Sequence, residues 1–126
     1  MQNREGTISS YRDLLVWQEG MNLAEAAYKL SSAFPREEVY GLSSQIRRAA
    51  VSVPANIAEG YGRDSKGSYI QQLRIAQGSL KELETHLLIA TRVSITSEAQ
   101  SRPLLSKADE LGRMLRGLIR SLEKST

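Results

Sequence analysis

The chain has 126 residues, a formal net charge of +3 and no cysteine. This length suits a single core, and the lack of thiols excludes disulfides, a cysteine nucleophile and cysteine-ligated zinc. Neither a signal peptide nor a run of about 18 apolar residues occurs, so we expect a cytoplasmic protein without a membrane segment. Proline is scarce and no alternating run of β-branched residues indicates a strand, so the composition predicts an all-α fold.

The first predicted helix follows a short polar segment. We expect residues 1–10 to form a disordered tail and residues 11–126 to form one domain. The helix starts after Ser10 or Asp13 and ends near Phe34, because Pro35 breaks it. Its apolar residues form two stripes, which together are wider than one core face requires: Leu14, Trp17, Met21, Ala24 and Tyr28 in one, and Val16, Leu23, Ala27, Leu30 and Phe34 in the other.

The second predicted helix runs from about Gly41 to Gly62 and contains Pro54. A proline inside a helix predicts a kink, or a split near Val53 with Ser52 capping the second half. The predicted core face consists of Leu42, Ile46, Ala49, Ala50, Val53, Ile57 and Tyr61. A strip of small or apolar residues lies beside that face, and its residues and polar edge are the candidate subunit interface: Arg47, Val51, Pro54, Ala55, Ala58 and Glu59.

Two long helices complete the chain. Heptad spacing predicts a helix over residues 64–93, capped by Asp64 or Ser65, with a seam of Tyr69, Leu73, Ala76, Leu80, Leu83, Leu87 and Ala90. A second seam, over residues 103–124, contains Leu104, Ala108, Leu111, Leu115, Leu118 and Leu122. Ser97 and Gln100 form a capping-box pattern for the last helix, but Pro103 leaves Ser101 as an alternative cap. Four helices with short links predict an up-down-up-down bundle, and the surplus apolar surface predicts a homo-oligomer.

The sequence offers little for catalysis. His86 is the only histidine, and a structural place on its helix is the simplest interpretation. Glu82, Glu84 and His86 are spaced by two, so we do not expect them to share a helix face as a metal site would require. The glycines of "GYGRDSKGS" indicate a turn, since the segment lacks the Gly-Lys-Ser or Gly-Lys-Thr of a phosphate loop. We therefore predict no cofactor, no metal and no enzyme activity.

The basic residues are the candidate functional side chains. Arg113, Arg116, Arg120 and Lys124 recur at spacings of three and four along the last helix. This spacing is consistent with two interpretations. The residues form either a solvated stripe that complements the helix dipole or a surface that contacts nucleic-acid phosphates. For Arg47 and the neighbouring Arg48 we favour a structural role, in which Arg47 crosses a subunit interface to Glu59 of another copy.

Four stretches carry a family resemblance: "LLVWQEGMNLAEAAYKL", "FPREEVYGLSSQIRRAAVSVPANIAEGYGR", "LRIAQGSLKELETHLLIA" and "LGRMLRGLIRSL". In this order they resemble the bacterial 23S rRNA intervening-sequence protein family, also called the four-helix bundle protein family. Arg47 and Arg48 fall on the family's paired arginines, Pro54 on its mid-helix proline, and Asn56, Glu59 and Gly60 on its "NIAEG" element. The resemblance covers residues 11–122.

The resemblance implies a four-helix bundle that assembles into a ring of five subunits. The family is also similar to the accessory protein of diversity-generating retroelements, a basic pentamer that binds nucleic acid and partners a reverse transcriptase. Two functions follow as expectations. One is a pentameric accessory protein that binds RNA or DNA, and the alternative is a protein-only interaction scaffold.

Overall fold

The computed structural model describes residues 7–125 and consists of helices and their connections, with no strand in that range. The four α-helices are α1 (Leu15–Ser31), α2 (Leu42–Tyr61), α3 (Lys66–Arg92) and α4 (Glu98–Lys124). Short 3₁₀ turns at Tyr11–Asp13 and Arg36–Glu38 precede α1 and α2. The predicted all-α class is confirmed.

The helices form a closed bundle in which each one packs against two others. Helix α1 packs against α2 and α4, and α3 likewise packs against α2 and α4, with no close backbone approach across either diagonal within the described range. Gly20 in the first half of α1 meets Pro54 in the second half of α2, whereas Ser31 at the end of α1 bonds Arg47 near the start of α2. These two helices are therefore antiparallel.

The other two pairs show the same arrangement. Between α2 and α3, the rings of Tyr61 and Tyr69 meet edge to face at the link, with centroids 6.1 Å apart. Between α3 and α4, Thr91 and Ser101 share a hydrogen bond of 3.0 Å near the link, and Lys66 reaches Ser125 at the far end. The contacts thus describe an up-down-up-down four-helix bundle.

The predicted seams of α3 and α4 supply much of the core. In α3, all seam residues from Leu73 to Ala90 are buried, and Tyr69 is half-buried. In α4, Leu104, Ala108, Leu111 and Leu115 are buried. Toward the end of α4 the buried position passes to Ile119, while Leu118 and Leu122 are half-buried. An α-helix has slightly more residues per turn than a strict seven-residue repeat, so its inner face drifts along such a seam.

Helix α1 buries its two stripes unequally. Val16, Leu23 and Ala27 of the second stripe are at most 1% exposed, whereas Met21 and Tyr28 of the first stripe are each 46% exposed. The helix also ends at Ser31, three residues before the predicted end at Phe34. A hydrogen bond of 3.0 Å from the Phe34 N–H to the Ser31 carbonyl turns the chain there, before Pro35 is reached.

Helix α2 is continuous through Pro54, so the predicted alternative of a split near Val53 is wrong. Ser52 does not act as a cap; its hydroxyl donates a hydrogen bond to Ser79 of α3. Pro54 packs on α1 at Gly20, where an added Cβ would lie 3.4 Å from the proline Cβ. The proline ring therefore lies against the α1 backbone at Gly20.

The structure also shows which of the alternative residues cap α3 and α4. Ser65 accepts a hydrogen bond from the Ser68 N–H at the start of α3, and Ser97 accepts one from the Gln100 N–H at the start of α4. Pro103 therefore lies inside α4, and Ser101 is buried instead of serving as the cap.

Ordered structure begins before residue 11. Residues 1–6 of the predicted tail lie outside the described residues, but Ile8 packs against the core. Ser10 caps the first 3₁₀ turn, and its N–H and that of Ser9 both donate to the Asp13 carboxylate. These hydrogen bonds lower the pKa of Asp13 from its usual value. No helix within residues 7–125 has the length and apolar character needed to span a membrane.

Candidate functional site

The basic stripe predicted on α4 is exposed, but its four members differ in pairing. Arg113 forms an ion pair with Asp109, with 2.9 Å between Nη1 and Oδ2. Within the described part of the chain, no carboxylate lies within ion-pair distance of Arg116, Arg120 or Lys124. We call these three exposed, unpaired cations the basic face.

Helix α3 adds two cations beside the basic face. Arg74 lines an open concavity of about 320 Å³ together with Arg116 and Arg120, and Lys81 lines a second one of about 260 Å³ together with Arg116. Sequence reasoning missed Arg74 and Lys81 because the spacing of residues within one helix does not reveal which side chains face it from another. The antiparallel pairing of α3 and α4 places both cations at these two concavities, which together form a groove between the helices.

Acidic side chains moderate the charge of the groove. Arg74 pairs with Glu123 at 2.7 Å, and Lys81 pairs with Glu84 at 3.3 Å. The exposed pair of Arg74 and Glu123 contributes little to stability. Glu84 is half-buried, and both carboxylates partly neutralise their cations. The strongest local excess of positive charge is therefore on the outer surface of α4, at Arg116, Arg120 and Lys124.

A second surface runs over α1 and α2. Met21 and Tyr28 of α1 and Val51 of α2 are more than 40% exposed, and Ala55 and Ala58 lie on the same outer side of α2. We call these five residues the apolar surface. An exposed apolar surface of this kind on a folded chain is typical of a contact region.

Two candidate interface residues have other contacts within the chain. Pro54 is buried against Gly20 of α1, so it is not part of the exposed strip in which we predicted it. The proline ring occupies the α1-facing side of α2, whereas Ala55, one residue on, points outward. Glu59 pairs at 3.0 Å with Arg63, two residues after the end of α2, although both side chains remain about half exposed.

Arg47 is half-buried and is held by the last turn of α1. Its Nε donates a hydrogen bond of 2.8 Å to the Ser31 hydroxyl, which in turn donates to the Tyr28 carbonyl at 3.3 Å. The guanidinium also lies over the Tyr28 ring, 4.8 Å from the centroid. These contacts fix the side chain without any carboxylate partner. Arg48, next in sequence, is exposed.

His86 has one acidic neighbour. Its Nε2 lies 3.6 Å from Oε2 of Glu82, so these two residues, four positions apart, share a helix face. Glu84 faces the other way and pairs with Lys81. Across residues 7–125 no group of three histidine or acidic side chains is placed to bind a metal ion.

The sequence of the chain matches a known protein family. Residues 12–117 match the family described as 23S rRNA-intervening sequence protein. The chain belongs to this family. The resemblance seen in the sequence is thereby confirmed, whereas the relation to the retroelement accessory protein stays a prediction. No curated protein matches the chain.

A solved structure of similar fold comes from Bacteroides thetaiotaomicron, a protein of unknown function from the S23 ribosomal protein family. It aligns with a TM-score of 0.78 and 24% sequence identity, over 83% of this chain and 98% of that one. At this identity the likeness shows the fold alone. Membership of the 23S rRNA-intervening sequence protein family therefore comes with no assigned activity.

Proposed function

We propose that the protein is a non-enzymatic, oligomeric nucleic-acid-binding protein that contacts phosphates through the basic face of α4. The observation that carries the proposal is the unpaired state of Arg116, Arg120 and Lys124 on one exposed surface. Cations without a carboxylate partner can exchange water and counterions for phosphate oxygens, which is the main source of sequence-independent affinity for nucleic acid.

The residues and the shape of this face fit a contact with the nucleic-acid backbone better than recognition of the bases. Tyrosine, tryptophan and phenylalanine are absent from α4, so stacking on bases would have no platform there. The arginine cations on α3 and α4 lie along a shallow groove that a phosphate chain could follow. We expect affinity that falls steeply with salt and depends weakly on sequence.

Assembly would strengthen this binding. We propose that another copy of the chain covers the apolar surface, so that several basic faces act on one nucleic acid and their modest affinities combine. The ring of five implied by the resemblance is one form of this assembly.

A substitution at Ala58 tests the assembly. Ala58→Arg places a charge on the apolar surface, so we expect a lower molecular mass by light scattering. Ala99→Arg adds the same charge at an exposed position of α4 and should leave the mass unchanged. Native mass in both variants would contradict the proposed location of the interface.

Nucleic-acid binding is tested by a charge-matched pair of triple variants. One replaces Arg116, Arg120 and Lys124 with glutamine, and the control replaces Arg92, Arg102 and Lys107 toward the opposite end of the α3–α4 pair. Both lose three positive charges, and they differ in location and in the ion pair of 2.8 Å between Arg102 and Glu98. If the basic face binds phosphate, only the first triple variant loses most of its affinity for labelled RNA and DNA. Equal losses would indicate net charge alone and would contradict the site.

A protein-only scaffold is the second candidate, and the apolar surface favours it. The two candidates differ in one measurement. A nuclease-treated oligomer that binds neither RNA nor DNA at low salt would favour the scaffold, because a phosphate contact should then be at its strongest.

A further inference from the structure

Arg47 of α2 is the central residue of a separate candidate site, and two residues of α1 hold its side chain. The Ser31 hydroxyl engages Nε, and the Tyr28 ring covers the guanidinium at 4.8 Å, so the fork of two Nη groups remains available. An arginine side chain held in one orientation loses less conformational entropy when it binds an anion. Arg47 is thus a preorganised donor on the surface of the bundle.

Two further donors lie next to it on α2. Ser44 and Arg48 occur three residues before and one residue after Arg47, so Ser44 lies one turn from each arginine on the outer side of the helix. All three line an open concavity of about 570 Å³. None of the residues that line it is acidic, so two positive charges have no compensating carboxylate within the concavity.

The remaining wall is mainly apolar. Tyr28, Val39 and Val51 line the concavity, and each is more than 40% exposed. We propose that this concavity binds a small phosphate monoester, with the phosphate on Ser44, Arg47 and Arg48 and an apolar or aromatic organic group against the valines. Its volume is in the range of small-molecule sites.

The charges favour a phosphate over a carboxylate. A phosphate monoester carries a charge of about −1.5 to −2 near pH 7 and has three acceptor oxygens, so it can engage both guanidinium groups and the hydroxyl together. A carboxylate carries one charge and is satisfied by a single guanidinium fork. The apolar wall further favours an ester over inorganic phosphate, which would leave the valines uncovered.

The site is independent of the basic face on α4, but Tyr28 and Val51 also belong to the apolar surface. Ester binding therefore requires that a second copy covers only the remainder of that surface, at Met21, Ala55 and Ala58, and leaves Arg47 uncovered. If a second copy covered Arg47, its substitution would change the oligomeric mass. If Arg47 binds the ester, its substitution weakens ligand binding and leaves the mass unchanged. The two roles therefore have different readouts.

The test is calorimetric titration of the full chain with phenyl phosphate, inorganic phosphate and benzoate. We expect phenyl phosphate to bind most tightly, because it alone combines an apolar group with the larger charge and three acceptor oxygens of a phosphate. Arg47→Gln should weaken that binding about tenfold or more, the typical effect of losing a charge-assisted hydrogen-bond pair. Arg48→Gln should weaken it too, and because Arg48 is exposed, this variant tests the site without disturbing α1.

Arg63→Gln is the matched control, since Arg63 lies at the other end of α2 and pairs with Glu59. It should leave phenyl phosphate binding unchanged. The proposal is overturned if benzoate binds as tightly as phenyl phosphate, if no ester binds at millimolar concentration, if neither Arg47→Gln nor Arg48→Gln weakens binding, or if Arg47→Gln changes the oligomeric mass. None of these results bears on salt-dependent RNA binding by the native chain through α4, which is measured separately, so failure here is distinguishable from failure of the proposed function.

Discussion

At Gly60, α2 lies close against α3, and replacing this glycine with alanine should destabilise the bundle. An added Cβ would lie 2.8 Å from the Cβ of Gln72 and 3.2 Å from the Tyr69 carbonyl oxygen. The first distance is well inside van der Waals contact, and backbone atoms cannot move aside as a flexible side chain can. Helices α2 and α3 would have to separate at this point.

The expected magnitude is a difference of two effects. Alanine is better than glycine in a helix by about 0.8–1.0 kcal/mol. Overpacking a close contact costs about 1–3 kcal/mol. Gly60→Ala should therefore lower the free energy of unfolding by about 1 kcal/mol, measured by urea denaturation followed by circular dichroism.

Gly117→Ala is the matched control in α4. An added Cβ there has no atom within 4 Å, so only the helix-propensity gain of about 0.8–1.0 kcal/mol remains. The two variants should differ by about 2 kcal/mol with opposite signs. Equal stabilisation by both substitutions would refute the close approach of α2 and α3 at Gly60.

Three other substitutions test the bundle by the same denaturation assay. Ser97→Ala should cost about 1 kcal/mol because it removes the cap of α4; no loss would argue for a later helix start. Leu83→Ala should cost about 2–5 kcal/mol, since Leu83 is fully buried, and a smaller cost would contradict its place in the core. Burial, with a smaller effect from Tyr61, raises the pKa of Tyr69 from 10 to about 12. The unfolded chain therefore ionises first, and stability should fall between pH 10 and 12 in the native protein more than in Tyr69→Phe; equal pH profiles would contradict this.

The heptad repeats of α3 and α4 could be predicted from sequence because their core residues recur along one helix. The start of α4 was less certain, since Ser97 and Ser101 both suit a cap. Only the tertiary structure distinguishes these two serines, because Ser101 is buried and shares a hydrogen bond with Thr91 of α3.

Contacts between helices account for what the sequence did not reveal. Pro54 suggested a break in α2, but the helix continues through it and packs the proline ring against Gly20 of α1. The stripe on α4 could be predicted from its spacing. The position of Arg74 beside that stripe, and the partial neutralisation of Arg74 by Glu123, depend on the antiparallel pairing of α4 with α3. Likewise, the pair Arg47 and Arg48 gave no indication that Tyr28 would hold the first guanidinium.

The most direct test of the proposed function is the salt dependence of RNA and DNA binding by the nuclease-treated protein. The logarithm of the affinity should fall with the logarithm of salt concentration, by about 0.7 for each phosphate contact on a single strand and about 0.9 on a duplex. Replacing Arg116, Arg120 and Lys124 with glutamine should flatten this slope by about 2–3 for each subunit in contact. An unchanged slope and affinity would contradict the assignment of phosphate binding to α4.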